Sequence, residues 1–210
     1  MEQIADMQLN EFLNALKEKS PTPGGGSASA ITAATAAALL SMSANYTVGN
    51  EKYPEFQNGA SEVLEDVTAL IEELKALATA DVMAFQGYSD ISALKRDTEE
   101  EKKLRAQMMQ NALIDCMNVP LQIAEISYKL LNLALKLAKQ CNPNLLSDVL
   151  VANEFSLAAL NSAIANVKIN LKYLRDESAI SFANKRLAIF DNKDILYQKT
   201  SAEINAQLGF

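Results

Sequence analysis

The chain has 210 residues, 49% of them hydrophobic and 21% charged, a balance that excludes a disordered polymer and provides for one sizeable core. Its formal charge of −7 sets the overall field against nucleic acid and anionic membranes as partners. Histidine is absent, which removes Ser-His and Cys-His nucleophile systems, histidine-ligated zinc and the usual near-neutral proton carrier.

The predicted elements are all helices. Met1 to Asp6 lacks the basic stretch of a signal peptide, so a reducing, cytoplasmic setting is expected. From Glu2 to Lys19 the spacing sets Leu9, Phe12, Leu13 and Leu16 on one helical face. Two prolines and three glycines in Ser20 to Gly26 end that helix. Ser27 is the expected N-cap of an Ala-rich helix reaching about Tyr46, whose small side chains suit close packing in a core rather than a membrane span. After a polar break, Pro54 lies near a third helix start, with apolar positions at Val63, Val67, Leu70, Leu74, Leu77, Val82 and Phe85. Gly87 to Arg96 reads as an interruption. Asp97 to Glu101 forms the acidic first turn of a fourth helix, with a kink or break at Pro120 and an apolar continuation from Leu121 to about Gln140. Cys141 to Asn144 is a turn. A near-heptad rhythm then runs from Leu146 to Leu174, and a last helix from about Glu177 with a polar dip at Asp191 to Asp194. No useful length alternates with period two. The reading is an all-α, single-domain helical bundle over residues 1–210.

Five groups of residues could carry chemistry. Glycines ahead of a helix leave backbone N–H groups free and allow close ligand approach, so Gly24, Gly25 and Gly26 suggest an anion or carbonyl site as readily as a capped turn. Asp81 shares a helical stripe with Leu70, Leu74 and Leu77 and so projects from an apolar face, where burial would raise its pKa; a structural aspartate on a lysine or a helix N-terminus fits the same pattern. Asp148 sits near a helix start, as an acid or as a cap. Asn166 and Asn170, four apart, are neighbours on one face; Asp148 shares their side but lies roughly 27 Å from Asn166 along a straight helix. The basic run Lys95, Arg96, Lys102, Lys103 and Arg105 suits either an anionic tail or solvent. Cys116 and Cys141 are too few for a disulfide framework or a cysteine-only zinc site and read as packing residues.

The run Ser20-x-Thr22-Pro23-Gly24-Gly25-Gly26-Ser27-Ala28 resembles the signature of the formiminotransferase-cyclodeaminase and methenyltetrahydrofolate cyclohydrolase family. Thr47-x-Gly49-x-x-Lys52-Tyr53, Asp81-x-x-Ala84-Phe85, Pro120-Leu121, Asn142-Pro143-Asn144, Ser147-Asp148-Val149 and Asn166-Val167-x-Ile169-Asn170 follow in the family's order. The chain departs at Lys95-Arg96-Asp97, where the family usually has a Leu-Pro pair, and at Cys141, where glycine is common. The resemblance implies a stand-alone cyclodeaminase-type domain, homodimeric and without a formiminotransferase domain. It implies a tetrahydrofolate substrate, polyglutamylated forms included, and no metal or redox cofactor. The first activity it suggests is cyclodeamination of 5-formiminotetrahydrofolate to 5,10-methenyltetrahydrofolate; hydrolysis of the methenyl compound to 10-formyltetrahydrofolate is the alternative, and a non-catalytic folate-binding module a more remote one. Asp81 and Asp148 are then the catalytic candidates, and Pro23, Gly24, Gly25, Gly26, Ser27, Arg105, Asn166 and Asn170 the substrate-binding ones.

Overall fold

Four long helices close into a ring in which each packs on the next, because each carries an apolar stripe that water would otherwise cover. The computed structural model describes residues 3–210, and the predicted helix start at Glu2 lies outside them. The helices are α1 (Leu9–Lys17), α2 (Gly25–Asn45), α3 (Gln57–Ser92), α4 (Glu99–Lys139), α5 (Leu146–Leu171), α6 (Glu177–Ala188) and α7 (Lys193–Leu208), with no strand among the described residues. Short connections make α2 to α5 run alternately up and down.

The bundle depends on α2. Its Ala30, Ala33, Ala36, Ala37 and Ala44 are fully buried, and such small side chains let it touch α4 across the bundle as well as α3 and α5 at its sides. The hydroxyls of Ser29, Thr32, Thr35 and Ser43, and that of Thr47 just past the helix end, each donate to the carbonyl four residues back, so the polar residues of this segment satisfy themselves locally. By length and composition α2 could cross a membrane, but half of that apolar window is buried within the bundle. α7 lies against α4 and α5, and Glu125 and Arg186 pair to hold α6 on α4.

Several boundaries differ from the sequence reading. The first helix begins at Leu9, after a short 3₁₀ turn at Ile4–Asp6; Phe12 is buried while Leu9 and Leu13 are exposed. Ser27 is not an N-cap: α2 starts two residues earlier, because Asp81 of α3 supplies the capping carboxylate from outside the helix. α3 runs through Gly87 to Ser92, and Arg105 of α4 closes the corner by donating to the Ser92 carbonyl at 2.6 Å. At α4 the expected acidic turn is a capping box, in which Thr98 and Glu101 satisfy each other's backbone N–H groups. α4 continues unbroken through Pro120. The polar dip at Asp191 to Asp194 is a true break, so the last predicted helix is two, α6 and α7.

Candidate active site

At the end of the bundle where α2 begins, a cavity of about 310 Å³ opens, near the lower end of the ~300–1,000 Å³ usual for small-ligand sites. The entrance to α2 contributes Pro21, Thr22 and Gly24 to Gly26; α3 contributes Asp81, Phe85 and Tyr88. Leu113 and Cys116 come from α4, and Asn166, Ile169, Asn170 and Tyr173 from α5 and the turn after it. Larger grooves run along α6, but they are shallower, and their carboxylates, Asp191 and Glu177, are exposed.

Asp81 is half-buried and fixed by one oxygen only. Its Oδ2 accepts from the Ser27 backbone N–H at 2.9 Å and lies 3.0 Å from the Ser27 hydroxyl. Among the described residues Oδ1 takes no hydrogen bond and is left to the cavity. Burial pushes the carboxyl above its ordinary value, and the two Ser27 hydrogen bonds offset part of that rise. The two readings open from sequence therefore hold together: Asp81 caps a helix N-terminus, and it faces a cavity with a free acceptor. Glycine at 26 is what permits this, since a Cβ there would stand 1.9 Å from Oδ1. At Gly25 a Cβ would only touch the Asn166 amide at 3.4 Å.

The two asparagines are oriented by carbonyls they hold. Asn166 Nδ2 donates to Ser162 O. Asn170 Nδ2 donates to both Cys116 O and Asn166 O, at 2.8 and 2.9 Å. Rotating the Asn170 amide would set oxygen against two oxygens, so its Oδ1 can only accept. The Cys116 carbonyl is available because residue 120, four further on, is a proline with no N–H to give it. The expected break at Pro120 is thus an unpaired carbonyl inside a continuous helix, used by Asn170 fifty residues on. With Asp81, the amides give the cavity a set of acceptors. Phe85 and Tyr88, 6.1 Å apart, and Tyr173 at the rim add aromatic faces. This arrangement suits a planar ring rich in N–H donors or carrying positive charge.

The cavity brings together Gly24, Gly25, Gly26, Asp81, Asn166 and Asn170. Four other candidates lie elsewhere. Ser27 is fully buried behind Asp81, and Pro23 is passed over in favour of Pro21 and Thr22. Arg105 serves the corner between α3 and α4. Asp148 lies in the first turn of α5, at the opposite end of an unbroken helix from Asn166, where its charge favours the helix dipole. Cys116 lines the cavity, but burial first, then the charges of Asp81 and Asp115, push its thiol up to about 11, so it stays protonated near neutral pH. Ile169 belongs to the family segment around Asn166, whereas nothing in the sequence marks Tyr88, Tyr173 and Leu113, because an isolated aromatic or aliphatic residue reads as core until its helix is placed.

The sequence profile described as formiminotransferase-cyclodeaminase matches residues 8–188. The chain belongs to this family. A methenyltetrahydrofolate cyclohydrolase of Methylorubrum extorquens is 38% identical over 179 residues, covering 85% of each protein. The formimidoyltransferase-cyclodeaminase of Mus musculus is 32% identical over 83% of this chain, which spans only 32% of that longer protein. Among solved structures, the formiminotetrahydrofolate cyclodeaminase of Thermotoga maritima superimposes with a TM-score of 0.87 at 27% identity, covering 98% of this chain and 99% of that one. Within the cyclodeaminase family, then, this chain resembles stand-alone members along nearly its whole length.

Proposed function

We propose that this chain is a folate enzyme acting on the single carbon between N5 and N10 of tetrahydrofolate, with Asp81 as its proton carrier. The observation that carries the reading is the Asp81 carboxylate, held through Oδ2, with Oδ1 open to a cavity lined by acceptors and aromatic rings. Both reactions of the family pass through cationic carbon, which a nearby carboxylate stabilises. In the hydrolytic reaction water adds to the methenyl carbon and gives a proton to Oδ1. The C–N5 bond then breaks, N5 receives a proton from Asp81, and the remaining proton leaves to solvent as the formyl group forms on N10. In the cyclodeaminase reaction the formimino group enters protonated, as –CH=NH₂⁺. N10 attacks its carbon, the N10 proton passes through Oδ1 to the departing nitrogen, and ammonia leaves with the positive charge kept on the methenyl group. One carboxylate with a raised pKa serves either route.

The motif resemblance puts the cyclodeaminase first. The 38% identity to a cyclohydrolase of matching extent favours hydrolysis of 5,10-methenyltetrahydrofolate, and we take that as the leading reaction. Cyclodeamination remains the second reading, supported by the end-to-end likeness to the Thermotoga maritima enzyme. The same reading includes a cytoplasmic homodimer, polyglutamylated folates among the substrates, and chemistry that needs no metal or redox cofactor. Each substrate, offered separately to the pure protein while methenyl absorbance is followed, tests it. Loss of absorbance well above the spontaneous rate marks the hydrolase; its appearance with ammonia marks the cyclodeaminase. Binding of folinic acid without either turnover would leave a folate-binding module.

A further inference from the structure

The Ser27 hydroxyl has one proton and two acceptors at the same distance: Asp81 Oδ2 at 3.0 Å and the Ala78 backbone carbonyl at 3.0 Å. The residue is fully buried and does not line the cavity, so substrate does not explain it. Its backbone N–H holds Oδ2 whatever the hydroxyl does. A hydroxyl donates to one acceptor at a time, and a charged acceptor wins over a neutral one.

We propose that Ser27 is a positioning residue for Asp81, whose hydroxyl donates to Oδ2 when the carboxylate is charged and turns to the Ala78 carbonyl when Oδ1 carries a proton. The backbone N–H and the missing Cβ at Gly26 fix the carboxylate plane, with Oδ1 towards the cavity. Rotation of the hydroxyl then lets a half-buried carboxyl gain and lose a proton without moving a heavy atom and without leaving a buried O–H unpaired in either state. No other titratable group of α2 faces Asp81. Those facing the cavity from elsewhere are Tyr88 of α3, Cys116 of α4 and Tyr173 after α5, and the thiol stays protonated in the working range.

The inference rests on Asp81 being the proton carrier, and two variants separate its failure from failure of that reading. Ser27→Ala keeps the backbone N–H and removes the hydroxyl. The charged form of Asp81 then loses a donor, so the carboxyl titrates higher, by about one pH unit for a charge-assisted bond in a half-buried site. This is read from the ¹³C shift of the Asp81 carboxyl in the free protein. It is read again from the acidic limb of kcat/KM with 5,10-methenyltetrahydrofolate, corrected for spontaneous hydrolysis, which moves up by the same amount while KM changes less than twofold. Ser27→Cys, of nearly the same size with a weaker donor, gives an intermediate shift and serves if the alanine variant does not fold. Superimposable titrations in a folded Ser27 variant, beside an inactive Asp81→Asn, overturn the role of Ser27 alone. Full activity in Asp81→Asn overturns the proton carrier, and this inference with it.

Discussion

At the end of the bundle where α2 stops, the polar groups close on one another. Gln57 Nε2 is shared among the carbonyls of Thr47, Asn50 and Tyr53, and its Oε1 accepts from Gly49 N–H. Thr47, fully buried, donates to Ser43 O and accepts from Asn142 N–H, while Asn142 Oδ1 accepts from Asn144 N–H. Gly49 has a φ of +75°, which other residues adopt at a cost. At the end where α2 begins, the materials are similar, but the hydrogen bonds fix side chains without saturating them: Asp81 Oδ1 and Asn170 Oδ1 are left facing a cavity. Both ends carry segments of the family pattern. One end uses them to close the chain, the other to leave acceptors open beside a cavity.

The sharpest way to break this contrast is Asp81→Asn. Turnover should fall by ~10²–10⁴-fold with folate affinity nearly unchanged. Stability should hold or rise near neutral pH, and the sign follows from linkage. A carboxyl whose folded pKa lies above its ordinary value holds a proton that the unfolded chain has released, so stability is lost as pH rises from the ordinary aspartate value through the raised one. Asparagine has no charge to bury. Melting at pH 7 beside single-turnover kinetics checks both; a lower melting temperature with proportionate loss of activity would make Asp81 a cap and nothing more.

Gly26→Ala comes next. Its Cβ has to displace the Asp81 carboxylate, and misplacement of about 1 Å can lower turnover by ~10²-fold. Gly25→Ala, at ordinary contact distance from Asn166, should affect KM more than kcat and by far less. Equal kinetic effects of the two would remove the close packing at Gly26 from the argument.

At the opposite end, Thr47→Val leaves the buried Asn142 N–H without its acceptor. That should cost ~1–3 kcal/mol, seen as a lower denaturation midpoint, with kcat unchanged in the folded fraction. The smallest effect is expected for Asp148→Asn: turnover within about twofold, with at most ~1 kcal/mol lost from the first turn of α5. A large loss of kcat in a folded Asp148→Asn variant would mean that a second copy brings this end of the molecule to a cavity.

Much of this was legible in the chain. Apolar spacing placed every long helix, and the glycine run with Asp81, Asn166 and Asn170 marked the cavity before any helix was positioned. Helix ends were less legible where the deciding partner is remote. Ser27 carries every local mark of an N-cap, yet the cap comes from a carboxylate 54 residues away. Arg105 has the charge of an anion ligand, but the corner it closes depends on where α3 ends.

Sequence by itself determined the helical class, the small-residue character of α2 and the absence of histidine chemistry, because these follow from composition and local spacing. Tertiary structure decided what each polar residue does. Pro120 shows the reason: missing an N–H is a local property, visible in the chain, whereas the group that takes the freed Cys116 carbonyl is set by the packing of α5 on α4. That packing turns Asn170 into an acceptor for the cavity. The same distinction separates Asp81 from Asp148, two acids on apolar helices, of which the bundle leads only one to the cavity.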